Sequence, residues 1–280
     1  MQPELAYELF GGEEEEFRRA VRAFVDKELA GHAEEWEEAE AFPREVIARA
    51  GELGFLGLKY PEKYGGAAED GREAKGWLAD AVFTEELAGC GSGGLAASVQ
   101  AHKDLFCLYV YSYGSEEQRR RWLVPAVDGK LVGALAVDEP ATGPEVGTIE
   151  TRAARQADGW TLNGTKALVT NGAWCDAAVV VAKTEAAPGR AGLSLFVVDA
   201  DTPGFSARKV RTLGCRTAQT AELSFRDCRV PDACLLGEVG RGHDYLEANS
   251  AWERLVVALE EVARVERTYR SAKEYASTRE

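Results

Sequence analysis

The sequence predicts an α+β protein: an N-terminal all-α domain, a middle antiparallel β-sandwich or barrel, and a return to helix at the end. Three observations predict it. Apolar residues recur at helical spacing from about residue 11 to 128, the period falls to two from about 131 to 235, and the helical period returns after Gly242. The expected domains are therefore 1–130, 131–240 and 241–280.

In the first segment Phe17, Val21, Phe24, Val25 and Leu29 follow the stripe of a helix with one buried face. The acidic run Glu13–Glu16 sits at its start, where the helix dipole favours negative charge. Pro61–Gly66 (PEKYGG) reads as a loop, and Ser115-Glu116-Glu117-Gln118 as a capping box opening a helix through Trp122. In the middle segment Ile149, Thr151 and Ala153 alternate with Glu150 and Arg152, and Ala221, Leu223 and Phe225 alternate with Glu222, Ser224 and Arg226. Asp158-Gly159 and Asn163-Gly164 are tight-turn dipeptides. In the last segment Leu255, Leu259, Val262, Val265, Tyr269, Ala272 and Ala276 form one stripe, an apolar face that must pack on something.

Composition bounds the function. The 33 Lys+Arg against 47 Asp+Glu leave a net charge of −14, a surface that repels phosphate backbones, so no nucleic-acid partner is expected. Leu105–Tyr111 and Ala177–Ala182, the longest apolar runs, fall far short of a membrane span of ~18 residues. The opening MQPELAYELFGGEEEEF has neither a basic start nor a long apolar stretch, which reads as no secretory signal and a cytoplasmic protein. Six cysteines without a C-x-x-C pair and three scattered histidines (His32, His102, His243) give no metal-ligand spacing; reduced packing thiols and no metal are expected.

Two local patterns have bland readings. Gly89–Gly94 satisfies G-x-G-x-x-G, but the preceding FTEELAG is helical where a dinucleotide site needs a strand, so a glycine break between two helices is expected. Arg119-Arg120-Arg121 points three ways around a helix and reads as a solvated surface.

The short segments also occur in a meaningful order. GFLGL (54–58) with PEKYGG (61–66), GSEEQ (114–118), GALAVDEP (133–140), LNGTK (162–166), VTNG (169–172), Thr202-Pro203-Gly204, Gly214-Cys215-Arg216, Arg229-Val230-Pro231, Glu253-Arg254-Leu255 and YASTR (275–279) run along nearly the whole chain. In this order they resemble the acyl-CoA dehydrogenase family of FAD enzymes.

The resemblance implies a helical domain, a β domain and a C-terminal helical bundle of which this sequence holds the first helix. It implies α,β-dehydrogenation of an acyl thioester, carried on CoA or an acyl carrier protein. It further implies FAD as cofactor, an electron acceptor such as an electron-transfer flavoprotein, and a homo-oligomer, a tetramer when complete. In one variant of the family the base lies in an "ERL" motif, which makes Glu253 the expected catalytic residue, with Trp252 and Arg254 toward substrate. Leu135, Val137 and Asp138 are implied at one edge of the flavin, and Leu168, Val169 and Thr170 at the other, with the Thr170 hydroxyl near N5. Pro144 is implied in contact with both cofactor and substrate.

Three positions depart from the pattern. Asp138 stands for a Thr, and its charge disfavours a reduced flavin anion. Leu168 stands for an aromatic, and Gly143-Pro144-Glu145 for "GSD", where Pro144 has neither hydroxyl nor N–H to donate. Two other classes fit the same residues: a non-catalytic or half-site subunit pairing with another dehydrogenase-like chain, and a flavin monooxygenase of the same fold.

Overall fold

A computed structural model of the chain describes residues 11–68, 73–142, 145–184 and 191–279. The helical part opens with α1 (Gly12–Phe24), whose first turn carries Glu13, Glu14 and Glu15. A π-helical turn, Val25–Leu29, leads toward α2 (Ala33–Ala39) and α3 (Glu45–Glu52). Then follow α4 (Glu73–Ala88), α5 (Gly93–Gln100), a second π-helical stretch over Ala101–Phe106, and α6 (Cys107–Tyr113). The short α7 (Glu116–Gln118) and α8 (Val124–Val127) close this part.

Local chemistry accounts for the breaks. The Ser115 hydroxyl accepts the Gln118 N–H while the Gln118 side chain accepts the Ser115 N–H, the expected capping box. Between α4 and α5 the glycine-rich segment is a helix break, and the Ser92 hydroxyl caps α5 by accepting the Leu95 N–H. A Cβ on Gly94 would stand 2.3 Å from the Thr217 hydroxyl and 2.7 Å from the Ala218 nitrogen, so glycine here lets the β domain approach the helix. Of the three arginines Arg120 and Arg121 are exposed, as expected of a solvated surface, and Arg119 is half-buried. Arg119 donates to the Tyr111 carbonyl and lies over the Tyr64 and Tyr111 rings, Arg120 pairs with Glu116, and Arg121 bonds Asp199. Three directions around a turn meet three different partners.

The strands are β1 (Gly133–Ala136), β2 (Arg152–Gln156), β3 (Gly159–Val169), β4 (Ala177–Lys183), β5 (Leu193–Asp199), β6 (Phe205–Lys209), β7 (Ala221–Pro231) and β8 (Leu235–Leu236). They run in the order β6-β7-β3-β2-β4-β5-β8, with β1 added to β4. Most pairings are antiparallel, but β1 and β2 each meet β4 in parallel, so the sheet is mixed. Side-chain alternation reports the pleat, not the direction of the neighbour. A single pairing, Arg152 with Lys183, joins two halves, and Trp160 of β3 meets Phe196 of β5 edge-on at 5.5 Å. The halves pack face to face as in a sandwich. β4 and β5, buried along nearly their whole length, form its interior.

The chain ends in α9 (Gly242–Thr278), 37 residues and about 55 Å long. Its first half packs on α4, α6 and β5. Farther along, Val262, Val265 and Tyr269 of the expected stripe are 61–66% exposed, and Tyr275, outside that stripe, is 61% exposed. No helix among the described residues is long and apolar enough to cross a membrane.

Candidate active site

One segment, 101–113, carries both halves of the site. On one side it holds β1. His102 Nδ1 accepts the Gly133 N–H, so the ring carries its proton on Nε2 and donates it to the Ala126 carbonyl. Burial lowers the pKa of this imidazole to about 4, which keeps it neutral. A Cβ on Gly133 would stand 2.0 Å from the Phe106 ring, so only glycine lets β1 lie this close.

The ends of β1 and β3 form a ledge. Lys166, fully buried, donates to the Val137 carbonyl at 2.7 Å and to Glu139 at 2.8 Å, while Glu139 accepts the Glu150 and Thr151 N–H groups. Desolvation pulls the Lys166 pKa down to about 8 against the pull of Glu139. The Ala167 N–H donates to the Asp138 carbonyl. Beyond this stitch β3 bulges, and Leu168 sits at φ +53° with its side chain 64% exposed. A left-handed leucine costs roughly 1–2 kcal/mol, and an exposed side chain recovers none of it from packing. Val169 is buried below, Thr170 is half-buried, and its hydroxyl makes no hydrogen bond among the described residues. Buried Asn171 pins the end of the ledge: its amide donates to the carbonyls of Ser98 and Gly133, and its oxygen accepts from Ser98 and Trp174.

On its other side the 101–113 segment meets α9. The Tyr109 hydroxyl donates to Glu253 Oε1 at 2.8 Å. Burial raises the Glu253 pKa from its ordinary value, and the Tyr109 hydrogen bond and nearby Arg254 charge moderate that rise. One turn earlier, Asn249 Oδ1 lies 3.2 Å from the Tyr113 hydroxyl. The Tyr113 and Tyr245 rings stack with centroids 4.0 Å apart.

Next to Glu253, Trp252 turns its indole toward α4, meeting Trp77 edge-on at 4.5 Å and donating Nε1–H to Asp104 at 2.8 Å. Asp104 belongs to a fully buried quartet. Lys59 bonds Asp80 at 3.1 Å and Asp104 closer still, and Lys103 bonds Asp80 at 2.7 Å and Asp104 at 2.6 Å. Burial alone would raise Asp104, but Lys103 and Lys59 outweigh it and hold its carboxyl far below the ordinary range. Two turns beyond Glu253 on the same face, Glu260 is buried beside Arg264 at 3.0 Å, its pKa raised to about 7 by desolvation.

The structure thus gathers Leu135, Val137, Asp138, Leu168, Val169 and Thr170 along the β1 and β3 ends, and Trp252 and Glu253 on the inward face of α9. Arg254 is exposed, and Pro144 lies outside the described residues. Tyr109, Asn249, the Lys166–Glu139 pair and the quartet were not read from sequence. The adjacent opposite charges Lys103-Asp104 opening an otherwise apolar run were the available signal. The six cysteines are free, five of them buried, and no cluster fit for a metal occurs among the described residues.

Residues 11–130 match the family model for the acyl-CoA dehydrogenase N-terminal domain, and residues 134–228 that for the middle domain. The crystal structure of acyl-CoA dehydrogenase from Geobacillus kaustophilus is similar with a TM-score of 0.91 and 38% identity, covering 97% of this chain and 70% of that one. The chain belongs to the acyl-CoA dehydrogenase family. Among its relatives in this family is the mitochondrial long-chain specific acyl-CoA dehydrogenase of Mus musculus, 36% identical over 97% of this chain; the chain spans 62% of that relative's length. A glutaryl-CoA dehydrogenase from Mycobacterium smegmatis, crystallised in complex with FADH2, is similar with a TM-score of 0.86 and 30% identity, covering 98% of this chain and 67% of that one.

Proposed function

We propose that this chain is the catalytic part of an FAD-dependent dehydrogenase that introduces an α,β double bond into an acyl thioester. Glu253 carries the reading. It is a partly buried carboxylate on the inward face of α9, held by one neutral hydroxyl and salt-bridged to no cation among the described residues. A carboxylate clamped by arginine is a poor base; one that burial makes more basic is suited to a weakly acidic C–H.

The residues at the ends of β1 and β3 fit FAD. Leu168 offers an apolar surface held out in a strained backbone, and Thr170 beside it a hydroxyl without a hydrogen-bond partner among the described residues. Leu135, Val137, Asp138, Val169 and Thr170 would complete the cradle. FAD, when bound, supplies the two-electron acceptor for the β-hydrogen, a capacity no side chain has. Glu253 takes the α-proton through its second oxygen while Oε1 keeps the Tyr109 hydrogen bond. Trp252 screens the carboxylate from water, and Arg254 meets the polar end of the thioester. The product is the enoyl thioester, and an electron-transfer flavoprotein is the acceptor that reoxidises the protein. A homo-oligomer is the assembly this reading implies.

Anaerobic addition of a short acyl-CoA to the FAD-loaded protein is expected to bleach the flavin absorbance; an unchanged spectrum with every thioester offered would remove the reading. The hydrogen bond from Tyr109 gives a second expectation. Glu253 works deprotonated, so the bleaching rate climbs as pH rises through its pKa. Tyr109→Phe removes a donor that stabilises the carboxylate and therefore raises that pKa. The acid limb of the pH–rate profile moves to higher pH, with the rate on the alkaline plateau less affected than the rate on the limb. A limb that stays in place would show that Tyr109 does not act on the base.

A further inference from the structure

The space available to an acyl group at Glu253 is bounded in both directions along α9. Toward the C-terminal end the next inward residues are Val256, fully buried, and Glu260, 4% exposed and paired to Arg264. The face opposite them is the quartet of Lys59, Asp80, Lys103 and Asp104, roofed by Trp77 and Trp252, with the Lys59 ammonium over both indoles. Two positive charges meet two negative ones there, and the side chains of all four are at most 1% exposed. Toward the N-terminal end stands the stacked pair Tyr113 and Tyr245, with the Tyr113 hydroxyl bonded to α9. A cavity of about 600 Å³ lies beyond that pair and is lined by it, but not by Tyr109, Asn249 or Glu253. Its other walls mix polar Glu117, Gln118, Arg121 and Asp232 with apolar Trp122, Ala233 and Leu235, and the tyrosine pair stands between it and the base.

We propose that this site takes short acyl chains, because the interhelical space beyond the base is filled by a buried ionic quartet on one side and closed by a tyrosine stack on the other. The proposal deepens the dehydrogenase reading and rests on it. A long chain needs empty apolar volume, and protein interiors hold almost none unless it is built. Making room means prying apart desolvated Lys–Asp pairs, which costs more than the buried methylenes return. The mouse relative is named for long-chain substrates, so chain length is where the two are expected to part.

The test is calorimetric titration of the FAD-loaded protein with butanoyl-, octanoyl- and dodecanoyl-CoA, paired with anaerobic bleaching by each. The expected result is affinity that falls by about tenfold or more from butanoyl to dodecanoyl, with bleaching by butanoyl-CoA the fastest. Dodecanoyl-CoA binding as tightly as butanoyl-CoA and bleaching as fast overturns the short-chain proposal while leaving the dehydrogenase reading intact. Failure of all three thioesters to bind or bleach overturns both together.

Discussion

Glu253→Gln is expected to slow flavin bleaching by an acyl thioester by about 10²–10⁴-fold, the usual contribution of a positioned general base. Glutamine keeps the volume of glutamate and can still accept the Tyr109 hydroxyl through its oxygen, so the helix and its contacts persist. What it loses is the capacity to take a proton. Thioester affinity should change little, because the carboxylate acts on the α-hydrogen and does not anchor the carrier. Rapid mixing under anaerobic conditions measures both quantities. A variant that binds normally and bleaches at the wild-type rate would move the base elsewhere.

The second large effect is on stability. Asp104→Ala leaves Lys59 and Lys103 with Asp80 alone, and removes the acceptor of the Trp252 indole N–H. Stripping one partner from a fully buried ionic cluster costs about 3–5 kcal/mol, since the remaining charge is desolvated without compensation. The expected readout is a lower urea midpoint for the protein, with α9 loosened from the helical part because Trp252 loses its tether. A midpoint within error of wild type would mean that the quartet is open to water in solution. Because the Lys pair depresses the Asp104 pKa, its contribution is fully present above the ordinary carboxyl range and is lost progressively as pH falls through and below that range toward the depressed value.

Much of this architecture is legible in the sequence for identifiable reasons. Hydrophobic period marks the helical and stranded segments because side chains repeat at 3.6 and 2 residues whatever their partners. The Ser115–Gln118 box and the Gly89–Gly94 break are local events, settled within four to six residues. Pairing direction is not local: nothing in Gly133–Ala136 announces that it will lie parallel to β4. The ordered motifs point to Glu253 and to the ledge, but not to what tunes them. Tyr109 reads as one more aromatic in an apolar run until α9 folds back onto it. Likewise Lys59 and Asp80 meet Lys103 and Asp104 only through tertiary packing, so the buried quartet has no signature in any window of sequence. Arg119–Arg121 shows the converse, where a surface reading based on helical geometry misses carbonyl and carboxylate partners on other elements.

The proposed reaction turns on one proton. It can be followed without any transfer of the β-hydrogen by offering a 3-thia acyl thioester, whose sulfur at the β position leaves nothing to transfer, in heavy water. The wild-type FAD-loaded protein is expected to wash deuterium into the α-position, and Glu253→Gln to leave it protonated over the same time. Exchange by the variant at the wild-type rate, or none by the wild type while it still bleaches with an ordinary thioester, would contradict the assignment of Glu253 as the base.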